Sequence, residues 1–356
     1  MQFNKKSIIE MMFLILIIFS MANSASARVE LTDFFSDFTT SDVTINSDMD
    51  FQGKAVFELL YAGKLVESHE VPVKVKSGEP LTKVVIWQQK PQHDFYTANV
   101  GLYEGDRLLS NNSYHIAYGT VTLPAFQVVD FSPSNSGVQL LLRPFNPTVT
   151  DIKIELLDNN DIIYSKTTDD ISLTTSTAIK IAWPFLLTEN KKYFVRAKIY
   201  SHRLYAPPLV NTYISDFTAT DDVEILQADV QVDEYGTSVT IRGKSQVPFD
   251  GFILVTARNR MTEKTQVYRQ QLEDILTSEK ESTAGIVWRE IDPGTYDVII
   301  EAVNQKNVTI DKYETVLRIP EYPSANVTTP SNRTPGFEGI VFLIILLITY
   351  RKFKGV

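Results

Sequence analysis

The three tryptophans of this 356-residue chain, Trp87, Trp183 and Trp288, stand about a hundred residues apart, and a tyrosine that opens an alternating segment follows each one within roughly ten residues. These tyrosines are Tyr96, Tyr193 and Tyr296. Upstream of each tryptophan lies an apolar block: Phe57-Glu58-Leu59-Leu60, Ile154-Glu155-Leu156-Leu157 and Phe252-Ile253-Leu254-Val255. An Asp-Phe-Thr/Ser triplet opens each unit, at Asp37, Asp130 and Asp216. Landmarks that keep one order three times define three homologous units, at residues 28–122, 123–213 and 214–320.

Each unit alternates apolar and polar residues in short runs rich in Val, Ile, Tyr, Phe and Thr, which is the period of a half-buried strand. Tyr61-Ala62-Gly63-Lys64 and Asp158-Asn159-Asn160-Asp161 occupy the same repeat position and suit tight hairpin turns, as does Asp292-Pro293-Gly294-Thr295. The fold expected is all-β: three tandem β-sandwiches, with each tryptophan in a core and each tyrosine hydroxyl bonding back to the turn before its strand. In this the body resembles tandem immunoglobulin-like or fibronectin III-like domains. Only Gln266 to Glu279 reads as helix, because Leu272, Ile275 and Leu276 have helical spacing. The chain has no cysteine, so disulfides, zinc fingers, iron-sulfur clusters and thiol nucleophiles are excluded and packing must supply the stability.

The ends differ from the body. Residues 1–27 combine Lys5-Lys6, an apolar core from Met11 to Phe19 and Ala25-Ser26-Ala27, the pattern of a secretory signal peptide. Residues 321–334 are rich in Pro, Thr and Asn without apolar periodicity, which reads as an extended stalk. Residues 335–356 run Pro335-Gly336-Phe337, then a short apolar helix, then Arg351-Lys352-Phe353-Lys354. This tail resembles the PGF-type C-terminal sorting signal of archaeal cell-surface proteins, although it is richer in Ile and Leu and carries Glu338 beside the tripeptide. The resemblance implies that an archaeosortase is the processing partner, that a lipid or the retained helix tethers the chain to the membrane, and that a surface-layer protein is a neighbour. Sequons at Asn111, Asn307, Asn326 and Asn332 are N-glycosylation candidates in an exported chain.

The sequence carries few marks of catalytic or metal chemistry. His69, His93, His115 and His202 show no zinc-helix spacing and read as surface histidines without partners, and no nucleophile elbow or phosphate loop is present. Neighbouring acids such as Asp169-Asp170 and Glu273-Asp274 point to opposite faces of a strand, so they do not form a glycosidase pair. Asp216, Asp221 and Asp222, at a unit boundary, are the best calcium candidates, and no other cofactor is indicated. A net charge of −9 argues against nucleic acid as a partner. The expected function is that of a non-enzymatic, membrane-tethered protein of the cell surface, structural or interacting with a surface-layer protein or with itself. The alternative is an extracellular glycan-binding module using Tyr200, Tyr205 and the loop Ser201 to Leu204; an exported hydrolase has the least support.

Overall fold

The computed structural model describes residues 29–89, 95–117 and 123–321. The signal peptide, His93, the stalk beyond Glu321, Asn326, Asn332 and the sorting signal with its apolar helix lie outside the described residues. Among the described residues no helix is long and apolar enough to cross a membrane.

The chain is all-β. The first sandwich comprises β1 (Val29–Ser36), β2 (Thr40–Ser47), β3 (Phe51–Tyr61), β4 (Lys64–Val75), β5 (Leu81–Ile86), β6 (Phe95–Glu104) and β7 (Arg107–Ala117). The second follows with β8 (Phe126–Pro133), β9 (Gly137–Pro144), β10 (Thr148–Asp158), β11 (Asp161–Leu173), β12 (Thr177–Ala182), β13 (Lys192–Arg203) and β14 (Ala206–Thr218). Both use one plan. The first, second and fifth strands form one sheet and the fourth, third, sixth and seventh the other, all antiparallel, with alternate residues meeting between the sheets. In the third sandwich the first strand is split into β15 (Val223–Ile225) and β16 (Gln231–Val232) by a single 3₁₀ turn. There β17 (Gly236–Gly243) and β20 (Glu281–Val287) complete that sheet, opposite β18 (Gly251–Asn259), β19 (Thr265–Gln271), β21 (Gly294–Asn304) and β22 (Thr309–Ile319).

Each tryptophan sits one residue past the fifth strand of its sandwich, with 6%, 1% and 7% of its surface exposed for Trp87, Trp183 and Trp288. Its position is set by hydrogen bonds as well as burial. The indole N–H donates to the end of the first strand or to the turn that follows it: Trp87 Nε1 to Ser36 Oγ at the end of β1 at 3.3 Å, Trp183 Nε1 to the Ser134 carbonyl at 2.9 Å, Trp288 Nε1 to the Asp233 carbonyl at 2.7 Å. The tyrosines begin the sixth strands. Tyr296 Oη donates to the Asp292 carbonyl at 2.7 Å, closing the turn before β21, and Tyr193 Oη accepts the Thr188 N–H at 3.2 Å.

Three expectations are corrected. Gln266 to Glu279 is no helix: β19 takes its first half, and Leu276 then forms two backbone bonds with Phe249, at 2.8 and 3.0 Å. Leu272 and Leu276 are buried there while Ile275 points to solvent, so the helical spacing was coincidental. The Asp-Phe-Thr/Ser triplets occupy three different places. Asp37 begins a turn, Asp130 lies within β8, and Asp216-Phe217-Thr218 ends β14, where Phe217 pairs with Tyr193 and packs on Trp183. The boundary between residues 213 and 214 therefore falls inside a strand. Finally, Leu59 pairs with Ala98 and Ala257 with Val298, so the counterpart of Phe57 in the third unit is Val255, not Phe252.

Candidate functional site

Charged side chains on the outward strand faces of the first two sandwiches, which no sequence motif marks, meet across them. β13 alternates Tyr193, Val195, Ala197 and Ile199 toward the core of its own sandwich, which leaves Arg196 and Lys198 on the outer face. On β10 the same alternation puts Ile152, Ile154 and Leu156 inside and Glu155 outside, directly opposite Arg196. In the first sandwich Val43 and Ile45 of β2 fill the core, and Thr40 and Asp42 face outward. An outer face of this kind normally meets water. Here β5 and β11 join edge to edge at Lys83 and Asp161, making one seven-stranded sheet that folds back so that β2 lies over β13.

The seam so formed is ionic, and its central charges are buried. Arg196 donates from Nη1 to Asp42 Oδ2 at 2.7 Å and from Nε to Glu155 Oε2 at 2.6 Å. Lys198 Nζ reaches both Asp42 oxygens, at 3.1 and 3.0 Å, and lies 4.1 Å from the centre of the Phe35 ring. Lys153 Nζ stands 2.8 Å from Glu155 Oε1, at ion-pair distance but outside hydrogen-bond geometry. Asp42, Glu155, Arg196 and Lys198 are all buried. Burial opposes the charge on Arg196, yet Asp42 and Glu155 outweigh it and hold its pKa above the usual value. For Lys198 burial wins over the attraction of Asp42, and Arg196 adds to it, so its pKa falls. Burial likewise pushes the phenols of Tyr200 and Tyr213 up to about 12.

Hydroxyl and backbone groups extend the seam to both sides. Asp37 accepts the Thr39 and Thr40 N–H groups of its own turn and, from the second sandwich, the Thr212 N–H at 2.9 Å and its hydroxyl at 2.7 Å. Burial raises its pKa despite these bonds. At the β5–β11 join the Val84 N–H donates to the Asn160 carbonyl at 3.0 Å, Asn160 Nδ2 returns to the Val84 carbonyl at 2.8 Å, and Lys83 pairs with Asp161 at 2.5 Å. The hairpin turn Asp158 to Asp161, with Asn159 at φ 55°, is thus also a docking element.

The junction of the second and third sandwiches is built differently. Val247, from the loop between β17 and β18, is 2% exposed and belongs to the apolar core of the second sandwich. Gln246 fixes it there: its N–H donates to the Asn135 carbonyl, its carbonyl accepts from Leu187, and its side chain donates to the Trp183 carbonyl.

The remaining candidates are placed as follows. Asp216 pairs with Lys192 at 3.0 Å, Asp221 accepts from Asn304 Nδ2 at 3.1 Å, and Asp222 lies apart with its pKa raised by burial. They do not gather into a calcium site. Among the described residues the one group of three ligand-type side chains within 4.8 Å is Asp151, Asp170 and His202. Asp151 is already bonded there to His202 Nε2 and to the Asp170 N–H, each at 2.9 Å, which hold its pKa below the usual carboxylate range, the Asp170 bond foremost. His69 and His115 are not partnerless either: His69 bonds Glu67 at 2.6 Å beside Trp87, and His115 bonds the Thr97 hydroxyl at 3.3 Å. Asn111 on β7 and Asn307 in the β21–β22 turn are exposed. In the loop from Ser201 to Leu204, Arg203 donates twice to the Pro207 carbonyl, while Leu204 and Tyr205 at its tip are 89% and 104% exposed. Tyr200 is half-buried near Lys198.

Comparison with models of known protein families finds no match, and comparison with curated proteins finds none. Among solved structures, the chain is similar to a tetra-tandem repeat in the extending region of a large adhesion protein, at 9% identity and a TM-score of 0.24, covering 82% of this chain and 74% of that one. It is also similar to red sea bream transglutaminase, at 7% identity and a TM-score of 0.26, covering 56% of this chain and 32% of that one. Likenesses this distant carry no activity or partner over to the chain.

Proposed function

We propose that the protein is an exported, membrane-tethered structural or interaction protein of the cell surface, without catalytic activity. The observation that carries this reading is the pair of built junctions. Buried charges hold the first sandwich to the second, and Val247 of the third plugs the core of the second. A body whose polar and apolar investments lie between domains is suited to holding shape and presenting surfaces. The two ends supply the address: residues 1–27 for export, and Pro335-Gly336-Phe337 with the basic end for tethering, through an archaeosortase and a lipid or through the retained helix. Exposure of Asn111 and Asn307 supports glycosylation on the body, with Asn326 and Asn332 on the stalk. The partner is a surface-layer protein or a second copy of this chain.

Mass spectrometry of the protein purified from its membrane tests the reading. A chain that starts near Arg28, ends near the Pro-Gly-Phe tripeptide and carries a lipid supports processing; a chain that starts near Arg28 and ends at Val356 supports the retained helix. A chain still starting at Met1 and recovered from the soluble cell interior sinks the proposal. A second reading, glycan binding, draws on the fully exposed Tyr205 alone, since the three tryptophans are committed to cores. Loss of binding on a glycan array after Tyr205→Ala would favour it.

A further inference from the structure

We propose that the seam between the first two sandwiches is a mechanical clasp: tension along the chain swings the first sandwich off the second as a folded body, before any sandwich unfolds, while the second and third stay joined. The tension that would operate it in the cell comes from the tether of the proposed function. The clasp itself is a property of the fold.

Three observations set the seam apart from the interiors of the sandwiches. First, backbone pairing across it is slight. β3 and β6 pair continuously from Lys54 with Tyr103 to Leu60 with Thr97, whereas β5 and β11 pair only at Lys83 and Asp161. Second, the groups it hides are ones water welcomes back. Asp42, Arg196, Lys198, Asp37 and Thr212 regain hydration when the faces part, so much of their gross attraction is returned. Parting the two sheets of a sandwich instead exposes Val, Ile, Leu and Trp side chains at about 25 cal/mol per Å². Third, the contacts lie in series outward from a spine. The β5–β11 join comes first, then Asp42 with Arg196 and Lys198, then the Asp37 turn with Thr212 of β14. A load on the first sandwich breaks them one after another, as pages part from a book's spine, and not all at once. Backbone pairing across the second junction is slight too, but what it buries differs: Val247 must leave an apolar core there, and Gln246 must give up two backbone bonds.

The test is force spectroscopy on the full chain held by its two ends in an optical trap. It uses no membrane, so failure of the tethering proposal leaves it intact. The expected trace begins with a short, reversible step of a few tens of Å, followed by three long ones of about 300 Å, the reach of roughly ninety extended residues. Because the chain has no cysteine, a single pair can lock the seam: the hydroxyls of Thr40 and Thr212 lie 3.1 Å apart, so Thr40→Cys with Thr212→Cys places two thiols in contact across it. Oxidation of that variant should abolish the short step and reduction should restore it. A first step already of sandwich length in the unmodified chain, or a short step that survives oxidation, overturns the clasp. If the double variant does not fold, Asp42→Asn serves instead: the closed lifetime at fixed load should shorten at least about tenfold with the long steps unchanged, and an unchanged lifetime overturns the proposal.

Discussion

Replacing Asp42 by alanine is the sharpest perturbation the seam offers. Asp42 is the carboxylate to which Lys198 bonds, and it shares Arg196 with Glu155. Its removal deletes three charge-assisted bonds of 2.7 to 3.1 Å and leaves two buried cations facing Glu155, with the half-exposed Lys153 adding a third positive group. Stripping one partner from a buried, hydrogen-bonded ion pair costs about 3–5 kcal/mol, against about 0–1 for an exposed pair. The loss has a ceiling, because the two sandwiches can part and let Arg196 and Lys198 reach water. Urea denaturation of the full chain, followed by its tryptophans, should therefore show the first sandwich losing about 3 kcal/mol or more, or else melting apart from the second in its own transition. Lys198→Met on the Asp42→Ala background should recover part of the loss by removing the unpaired cation. A loss under about 1 kcal/mol with a single unchanged transition would refute the buried-seam reasoning.

Three further outcomes follow from the geometry. Trp183→Ala should cost about 3–5 kcal/mol by the same denaturation, because the indole is fully enclosed, packed beside Phe217 and bonded to the Ser134 carbonyl. Val247→Asp should uncouple the third sandwich from the second, giving separate calorimetric transitions and faster proteolysis between β14 and β15, since a carboxylate would enter an apolar core. Stability should fall between about pH 10 and pH 12. Tyr200 and Tyr213 ionise only near 12 in the folded chain but near 10 when unfolded, so the folded state binds more protons across that window. Lys198, whose folded pKa is lowered, acts oppositely, adding stability as pH rises toward 10.5. Phenolate absorbance measured against denaturation midpoint checks the sign.

Much of the architecture was legible because its causes are local. A large aromatic at one repeat position has one use in a sandwich, and Trp87, Trp183 and Trp288 each bond to the end of the first strand or to the turn that follows it. Two-residue turns with Ala62-Gly63 and Asn159-Asn160 likewise declare themselves through positive φ, 48° and 76° in the first and 55° at Asn159. The seam was hidden for a physical reason. Alternation distinguishes an inner from an outer face, but an outer face carrying Asp42, Arg196 and Lys198 looks the same whether water or another sheet covers it, and these residues are more than 150 positions apart. Glu155 is equally inconspicuous, because in Ile152-Lys153-Ile154-Glu155-Leu156 it takes the polar side of an ordinary alternating strand. The misread helix shows the converse limit: buried Leu272 and Leu276 satisfied a helical period, but their backbone groups found partners on Gly251 and Phe249.

The central claim is that the first two sandwiches form one closed body, and two backbone amides report on it directly. The N–H of Thr212 donates to Asp37 of the first sandwich and that of Val84 to Asn160 of the second, so each is protected by the neighbouring sandwich. Hydrogen–deuterium exchange of the full chain should find both far slower than amides of the exposed turns, yet faster than amides inside the strand ladders of their own sheets, because the seam opens before a sandwich unfolds. Exchange of both at the rate of the exposed turns would mean that the seam stands open in solution, and would contradict the account.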